Sequence, residues 1–367
     1  MTTNLSKIDY SNKTIFVGLD VHSSKWYATI ICEDKISPKA FDANPEQIAN
    51  YLKKHYPNGT YKAAYEAGCF GYWAKFALDE LKIQTIVIHA SDIPSSDKDK
   101  VQKSDKNDSR KIALALRNNM LNSIFVPTRT QQEHRDLIRR RDDLVGKATR
   151  VKNQLKADLK FYGIDYPEEF EKSGTHWSKK FLDWLRRLKA VTKIGNTVMK
   201  SQIRELEWLE KEIDSIEKQL DKLLRTKDYE NIYRIVRSVP GIGPIHAATF
   251  ILEIMQIKRF KRIDQFLSYV GLIPSEHSSG DYRHVGYMSR RCNRYLRKLF
   301  IEAAWVAVKR DLALNEYFEE LKKRGMKSTL AIVKVARKLA SRLRRILLNG
   351  EEYKFGVGKA DKSKQAN

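Results

Sequence analysis

The chain has 367 residues, of which 31% are charged and 42% hydrophobic, and its formal net charge at pH 7 is +24. This balance is typical of a folded protein with a sizeable core, and it excludes an intrinsically disordered chain. So large a positive charge on a folded surface favours a polyanionic partner, and nucleic acid is the leading candidate.

The sequence predicts neither a membrane-bound nor a disulfide-bonded protein. No apolar run approaches the length of a membrane-spanning helix, and the polar opening MTTNLSKIDYSNK does not resemble a signal peptide. Cys32, Cys69 and Cys292 are widely separated, and their spacing matches neither a disulfide framework nor a zinc site. We therefore expect a cytoplasmic, nucleoid-associated protein without a membrane partner.

Residues 1–127 are predicted to form an α/β domain, because strand patterns and helix patterns alternate along them. Strands are predicted at residues 15–20, 26–31, 61–65 and 84–88, and helices at 44–55, 72–81 and 108–119. The predicted order is therefore β-β-α-β-α-β-α. A tight polar turn joins the first two strands.

Residues 128–228 are predicted to form a helical coiled-coil linker domain. Apolar residues recur at heptad spacing in two helices, at Leu144, Ala148, Val151 and Leu155 and then at Leu206, Leu209, Ile213, Ile216, Leu220 and Leu223. This spacing predicts an antiparallel coiled coil, or pairing with a second subunit that would give a homo-oligomer, either a dimer or a tetramer. The alternative is an ordinary helical hairpin, because the repeat lasts only about three heptads.

Residues 229–349 are predicted to form a helical C-terminal domain. Its last helix alternates Ile332, Val335 and Leu339 with basic residues and is therefore amphipathic. Residues 350–367 are predicted to be a disordered basic tail.

Four carboxylates of the first domain stand at positions that can converge. Asp20 and Glu66 each follow an apolar strand, and Asp105 and Asp108 lie three residues apart at the start of a helix. Each one alone has a structural explanation as a turn residue, a strand end or a helix N-cap. The set of four in a basic chain favours a site for Mg²⁺, with Mn²⁺ as the alternative ion.

The order of these acids is that of the RuvC-like branch of the RNase H fold, in which a metal ion binds against a scissile phosphate. Lys106 and Arg110 lie beside the acid pair and are candidates for contacts to the nucleic-acid backbone.

The segment SVPGIGPIHAATF resembles a helix-hairpin-helix. Gly241 and Gly243 permit a tight turn, and the helix starting at Pro244 presents unpaired N–H groups to an anion such as DNA phosphate. The alternative is a glycine-rich connector between packed helices.

Two adjacent serines, Ser278 and Ser279, precede Gly280 in a segment of poor helix propensity, which predicts an open loop. Cationic side chains that can stabilise a phosphate follow at Arg283, Arg290, Arg291, Arg294 and Arg297. From the residues alone, a nucleophilic serine and a serine that caps a helix are equally supported.

Six motifs, in order, resemble those of the DEDD-type insertion-sequence transposases, the family that includes the Piv invertase and the bridge-RNA-guided serine recombinases. The N-terminal motifs are VGLDVHSSKW, YEAGCFGYW and KSDKNDSRKIA, and the C-terminal motifs are SVPGIGPIHAATFI, FLSYVGLIPSEHSSG and MSRRCNRYLRKLFIEAA. The resemblance extends over nearly all residues between 15 and 348.

This resemblance implies a RuvC-like domain, a helical coiled-coil insertion and a C-terminal helical transposase domain. Asp20, Glu66, Asp105 and Asp108 match the four acidic positions of the family, which bind magnesium, and Ser279 matches its serine nucleophile. The resemblance implies a DNA recombinase that joins strands of donor and target DNA through a covalent phosphoserine link. It also implies a structured noncoding RNA that pairs with both DNAs.

Two other functions remain open. The first is a structure-specific nuclease that uses the metal-binding carboxylates without serine chemistry. The second is a non-catalytic scaffold for nucleic acid, held together by the coiled coil.

Overall fold

The computed structural model describes residues 9–93, 105–279, 282–289 and 291–356, and of residues 274–287 the backbone alone. The chain divides into two compact units, Met1–Val126 and Pro127–Asn367. The first unit is a mixed α/β domain, and the second is largely helical.

The first unit is built on a five-stranded mixed sheet with the strand order β3-β2-β1-β4-β5. Its strands are β1 (Thr14–Val21), β2 (Lys25–Cys32), β3 (Lys35–Asp42), β4 (Thr60–Glu66) and β5 (Gln84–Ile88), and its helices are α1 (Pro45–His55), α2 (Trp73–Glu80) and α3 (Asp105–Arg117). Strands β1, β4 and β5 run parallel, whereas β2 and β3 are antiparallel to their neighbours. A mixed α/β unit with this sheet is consistent with an RNase H-like fold.

Strand β3 was not predicted from the sequence. It lies at the edge of the sheet, and most of its residues are exposed, including Lys35, Pro38 and Lys39. Edge strands tolerate proline and lysine and lack the apolar alternation of a buried strand, so the sequence pattern gave no strand signal here. The observed order is therefore β-β-β-α-β-α-β-α.

The two faces of β1 pack against different layers. Ile15, Val17 and Leu19 belong to the larger core, which includes apolar residues of α1 and α2. The opposite face carries Gly18 and Asp20, because side chains alternate along a strand. Helix α3 packs on that second face, where its Ile112 joins a smaller core.

The second unit consists of nine helices and one β-hairpin in the residues that the structure describes. The helices are α4 (Arg129–Phe161), α5 (Lys179–Arg187), α6 (Lys193–Leu224), α7 (Glu230–Arg237), α8 (Pro244–Ile254), α9 (Ile263–Val270), α10 (Arg294–Arg310), α11 (Leu312–Lys323) and α12 (Ser328–Asn349). The hairpin is formed by β6 (Pro274–Ser279) and β7 (Tyr282–Met288). No helix among the described residues is long and apolar enough to span a membrane.

Helices α4 and α6 pair side by side in antiparallel orientation. Arg141 on α4 contacts Glu217 on α6, and Lys152 contacts Glu210. Farther along α4, Asp158 accepts a hydrogen bond from Gln202. As the residue number rises on α4 it falls on α6, so the predicted antiparallel pairing occurs within one chain. Supercoiling and assembly through these helices stay predictions.

One hydrophobic core runs through the whole second unit and includes Leu144 of α4, Leu206 of α6 and Phe300 of α10. The proposed division at residues 228 and 229 therefore does not coincide with a gap in the core, and it stays a prediction.

The predicted disordered tail begins too early. Tyr353 is buried, its hydroxyl donates a hydrogen bond to Asp311, and the backbone N–H of Gly356 donates to the same carboxylate. Residues 351–356 therefore pack onto the helices of this unit, because buried polar partners hold them there. Residues 357–367 lie outside the described part of the chain.

The serine segment is a second correction. We expected an open loop, but Ser278 and Ser279 are the last residues of β6, where they pair with Arg283 and Tyr282 of β7. Backbone pairing with a following strand was not visible in the sequence, because this short stretch has no apolar alternation.

Candidate active site

Asp20, near the end of β1, is the centre of a cluster of ionisable side chains. His22 Nε2 lies 3.2 Å from Asp20 Oδ2 and 3.8 Å from Asp105 Oδ1. The Asp20 side chain is 24% exposed and that of Asp105 is 49% exposed. A strand end and a helix start are therefore brought together at a point that solvent and substrate can reach.

Helix α3 reaches this position because β1 carries a glycine where the two elements touch. A Cβ on Gly18 would overlap the backbone of α3 at Ser109 and Ala113. Beside this contact, the hydroxyls of Thr29 and Ser109 form a buried hydrogen bond of 2.9 Å. The missing side chain and the buried hydrogen bond together set the position of the acid pair on α3.

The acids interact electrostatically. Burial raises the pKa of Asp20, the nearby charges of Asp105 and Asp108 add to that rise, and His22 opposes it. Asp108 also lies 3.5 Å from Lys111 Nζ. Repulsion among carboxylates in a partly buried site is relieved by a cation, so the charges favour a bound metal ion.

Glu66 stands at the matching point of the neighbouring strand. Strands β1 and β4 are parallel, with Leu19 opposite Tyr65, so the next residues, Asp20 and Glu66, occupy neighbouring positions near the ends of the two strands. Adjacent strands lie about 4.8 Å apart, so the two carboxylates start from neighbouring backbones. Glu66 is exposed and is not a member of the cluster formed by Asp20, His22 and Asp105.

The donor set fits a divalent ion. One ligand atom each from Asp20, His22 and Asp105 lies within 4.8 Å of the others. Carboxylate oxygens suit hard cations such as Mg²⁺ and Mn²⁺, and the exposed side leaves positions for water or a phosphate oxygen. Asp108, whose charge acts on Asp20, and Glu66, at the neighbouring strand position, are the further candidate ligands.

The glycine hairpin of the second unit has a packing role at its first glycine. Gly241 has φ +85°, and a Cβ there would lie 2.3 Å from the carbonyl oxygen of Ala303 on α10. Gly243, by contrast, has open space around it and caps α8. At Gly241 the geometry therefore supports the alternative reading of a connector between packed helices.

A cavity of about 350 Å³ opens beside Gly243 at the start of α8. Its lining includes three cationic side chains and three anionic ones, Arg139, Arg141, Lys298, Asp142, Glu253 and Glu302. Because these charges balance, the cavity does not itself favour a phosphate group.

The segment that carries Ser279 is closed at its base. Gly271, with φ +80°, leaves room for Cys292, whose Sγ would lie 2.6 Å from a Cβ at Gly271. The backbone N–H of Asn293 donates to the carbonyl of Tyr269 at 2.8 Å. The two ends of the segment from residue 271 to residue 293 are therefore held together by these contacts.

The predicted phosphate-binding cations differ in their surroundings. Arg291 and Arg294 are exposed, and so are Lys106 and Arg110 on α3 of the first unit. Arg297 instead turns inward and donates to the carbonyl of Ser289. The side chain of Arg283 and the whole of Arg290 lie outside the described residues.

The guanidinium of Arg297 contacts the base of the serine hairpin, and its role as a nucleic-acid clamp stays a prediction. The sequence gave no sign of this inward contact.

Two further residues that matter for these sites were not predicted from the sequence. His22 belongs to the acidic cluster, and its position two residues after Asp20 was the available signal, because alternate strand residues share a face. Glu253 is 1% exposed and accepts hydrogen bonds from Arg139 at 2.6 and 2.9 Å and from Asn293 at 2.7 Å. A single acid within the apolar stretch AATFILEI was its signal.

Comparison with known families agrees with the motif order. Residues 17–164 match a family model described as a DEDD transposase, and residues 233–319 match a model described as "Transposase IS116/IS110/IS902 family". The two matches follow each other along the chain and together cover more than half of it. The chain belongs to the IS116/IS110/IS902 family of transposases.

Curated relatives of this transposase carry the same activity in their names. It is 25% identical over 301 residues to a putative transposase, y4qE, of Sinorhizobium fredii, with 75% of this chain and 72% of the relative covered. It is 28% identical over 271 residues to the transposase of insertion sequence element IS1111A of Coxiella burnetii, with 70% of each chain covered. A second Sinorhizobium fredii relative, the putative transposase y4rJ, is 26% identical over 366 residues, with 89% of each chain covered. This transposase is accordingly a DNA-acting enzyme of an insertion sequence.

Proposed function

We propose that this transposase cuts and rejoins DNA through a covalent phosphoserine link made by Ser279, with a divalent ion held by Asp20, Glu66, Asp105 and Asp108. The observation that carries the proposal is the meeting of Asp20 and Asp105 around His22, at 3.2 and 3.8 Å, on the exposed side of the first unit. A bound Mg²⁺ or Mn²⁺ would neutralise charge that develops on the phosphate oxygens.

In the proposed reaction the Ser279 hydroxyl oxygen attacks a DNA phosphorus atom and loses its proton. A P–O bond of the DNA breaks, which releases a DNA hydroxyl and leaves the phosphate esterified to serine. Attack by a second DNA hydroxyl on the phosphoserine then re-forms a phosphodiester and frees the serine. One ester replaces another at each step, so no high-energy cofactor is consumed.

Several features support the serine role. Ser279 ends β6, where its backbone pairs with Tyr282 of β7, and the base of that hairpin is closed by the Asn293 to Tyr269 hydrogen bond. The exposed Arg291 and Arg294, together with Arg283 and Arg290, are the proposed phosphate contacts of the second unit. Lys106, Arg110, Gly241 and Gly243 are further proposed nucleic-acid contacts.

A covalent adduct assay tests the serine. Wild-type protein is incubated with end-labelled DNA that carries the ends of the insertion sequence, and protein-linked DNA is then resolved on a denaturing gel. We expect Ser279→Ala to abolish both the adduct and strand joining, and the matched control Ser278→Ala to retain both. Asp20→Asn should also abolish them.

A metal-dependent nuclease without serine chemistry is the second candidate. The observation in its favour is that Asp20, His22 and Asp105 all lie within the first unit. Under this alternative, Ser279→Ala would cut DNA at the wild-type rate, and no adduct would form with any variant. The same gel therefore separates the two functions.

We also propose that a structured noncoding RNA guides the choice of donor and target DNA. The net charge of +24 supports binding to nucleic acid, mainly through the phosphate backbone. Sequencing of the RNA that co-purifies with the protein tests this. Enrichment of one segment from the flank of the gene would support guidance, and random cellular RNA would oppose it.

Assembly into a dimer or tetramer through the α4 and α6 hairpin is the last part of the proposal. Large apolar side chains are exposed where α4 ends and α6 begins, among them Phe161 at 82%, Val191 at 103% and Ile194 at 78%. Ile194→Lys is expected to lower the mass measured by light scattering, whereas Leu330→Lys, at an equally apolar exposed site on α12, is not. An unchanged mass for Ile194→Lys would oppose assembly through this end.

A further inference from the structure

We infer that His22 is a metal ligand in the cluster around Asp20, so that the site binds its ion through nitrogen as well as oxygen. The inference rests on the proposed metal site and deepens it, because it adds a ligand outside the four acidic positions. It also assigns an ion preference, for Mn²⁺ over Mg²⁺.

The distances fit a shared coordination sphere. With metal–ligand bonds of about 2.1 Å, neighbouring ligand atoms of an octahedral site lie about 3 Å apart and opposite ones about 4.2 Å apart. The Nε2 of His22 lies 3.2 Å from Asp20 Oδ2 and 3.8 Å from Asp105 Oδ1. Both separations fall between the two octahedral values, and all three ligand atoms lie within 4.8 Å of one another, so side-chain rotations would bring them onto one ion.

The backbone of His22 is fixed by a neighbour that does not belong to the site. The indole Nε1–H of Trp26, a fully buried residue, donates to the carbonyl oxygen of His22 at 3.1 Å. The ring of Phe70 stands edge-on to the imidazole, with the ring centres 6.4 Å apart. A ligand held in this way loses little conformational entropy when the ion binds.

The remaining coordination positions are open. The side chain of His22 is 45% exposed and that of Asp105 is 49% exposed, so water or a DNA phosphate oxygen has access to the ion. An ion bound here would therefore touch both the protein and the substrate, as a catalytic site requires.

The combination of one imidazole nitrogen with carboxylate oxygens favours Mn²⁺ over Mg²⁺. Mg²⁺ is bound in proteins by oxygen ligands and keeps several waters, whereas imidazole suits transition-metal ions, and Mn²⁺ accepts carboxylate oxygens as well. Replacing the imidazole by an amide oxygen should remove the preference while keeping a site made of oxygen atoms.

Pulsed electron paramagnetic resonance of Mn²⁺ bound to the full-length protein tests the inference, because it detects nitrogen nuclei bonded to the ion. We expect nitrogen coupling in the wild type, its loss in His22→Gln, and its retention in the matched control His55→Gln. In competition titrations, His22→Gln should lower the affinity for Mn²⁺ at least about tenfold and leave the affinity for Mg²⁺ nearly unchanged. His22→Asn serves as a second variant in case the longer amide disturbs the fold.

The outcomes separate this inference from the proposed function. If Mn²⁺ binds the wild type without nitrogen coupling and Asp20→Asn abolishes binding, the acidic site stands and His22 is only an ion-pair partner of the acids. If Asp20→Asn leaves Mn²⁺ binding intact, the proposed metal site itself is wrong. Nitrogen coupling that persists in His22→Gln would also overturn the assignment of His22.

Discussion

A Cβ atom on Gly18 would lie 2.1 Å from the carbonyl oxygen of Ser109, a distance that no real contact allows. The absence of a side chain at Gly18 therefore sets how closely α3 approaches β1. We predict that Gly18→Ala pushes α3 outward, destabilises the first unit by about 1–3 kcal/mol, and weakens metal binding at Asp20. Chemical denaturation and Mn²⁺ titration measure the two effects.

Gly68→Ala is the matched control for that variant, since nothing lies within 4 Å of the position a Cβ would take there. It should bind Mn²⁺ as the wild type does. Wild-type metal affinity in Gly18→Ala would contradict the role assigned to the close contact.

Asn293 allows a one-atom test of the buried charge network. Its Oδ1 accepts hydrogen bonds from the N–H groups of Tyr295 and Leu296 at the start of α10, while its Nδ2 donates to the buried Glu253. Asn293→Asp keeps the helix cap but sets a carboxylate against a carboxylate. We predict a loss of about 3 kcal/mol at pH 7, measured by urea denaturation.

The same variant has a characteristic pH dependence. Protonation of the introduced aspartate removes the repulsion, so the stability deficit of Asn293→Asp should shrink as the pH falls below about 5. A deficit that is equal at pH 7 and pH 4.5 would show that lost packing, and not charge, is responsible.

Asp311 makes the attachment of residues 351–356 sensitive to acid. Burial alone would raise the pKa of Asp311, but hydrogen bonds from Gly356 and Tyr353, with the N–H of Leu314 and the charge of Arg342, lower it overall. Because the folded-state pKa lies below the unfolded one, this contribution is full above about pH 4 and falls as the pH drops through the folded value. Asp311→Asn should lack that acid-dependent part when unfolding is followed between pH 6 and pH 2.

At Tyr353 we expect the opposite pH dependence: its contribution to stability is lost as the pH rises. Burial, reinforced by the hydrogen bond to the Asp311 carboxylate, raises the pKa of Tyr353 from its ordinary value of 10.0 to about 12. The folded state therefore holds a proton that the unfolded state releases, and stability is lost as the pH rises from 10 to 12. Tyr353→Phe should lose less stability across this interval than the wild type, and a parallel decline of both proteins would contradict the assignment.

A glycine inside α4 and a glycine just after its C-terminus make a matched pair. Gly146 lies inside the helix with open space around it, whereas Gly163 follows the helix with φ +65°. We predict that Gly146→Ala stabilises the protein by about 0.5–1 kcal/mol and that Gly163→Ala destabilises it by a similar amount. Thermal unfolding followed by circular dichroism measures both changes. If both variants were stabilised, or both destabilised, the explanation from backbone conformation would be contradicted.

The sequence predicted the elements that have strong patterns. The apolar strands that carry Asp20 and Glu66 lie within one residue of the expected bounds, and the helix that carries the acid pair begins three residues earlier than the predicted 108–119, because buried elements require regular apolar spacing but helix ends do not. The meeting of Asp20 and Asp105 also followed from that order. Their final approach depends on Gly18, whose importance became visible only when α3 was seen against it.

What the sequence did not reveal depends on contacts between distant residues. Neither the inward turn of Arg297 toward Ser289 nor the hydrogen bond of Tyr353 to Asp311 has a local pattern. Tertiary partners decide these features, and helix periodicity or net charge does not report them. The β6 and β7 hairpin is similar, because its strands carry polar residues and its pairing replaces the expected loop.

Strand β3 has a consequence for behaviour in concentrated solution. An outer strand with free backbone groups is a template on which other chains can add and form aggregates. Here the outer strand carries exposed Lys35 and Lys39, and Pro38 between them has no N–H to offer. In a crowded cell, the β3 edge of the sheet thus presents charge and a missing donor, which disfavour the addition of another chain at that edge.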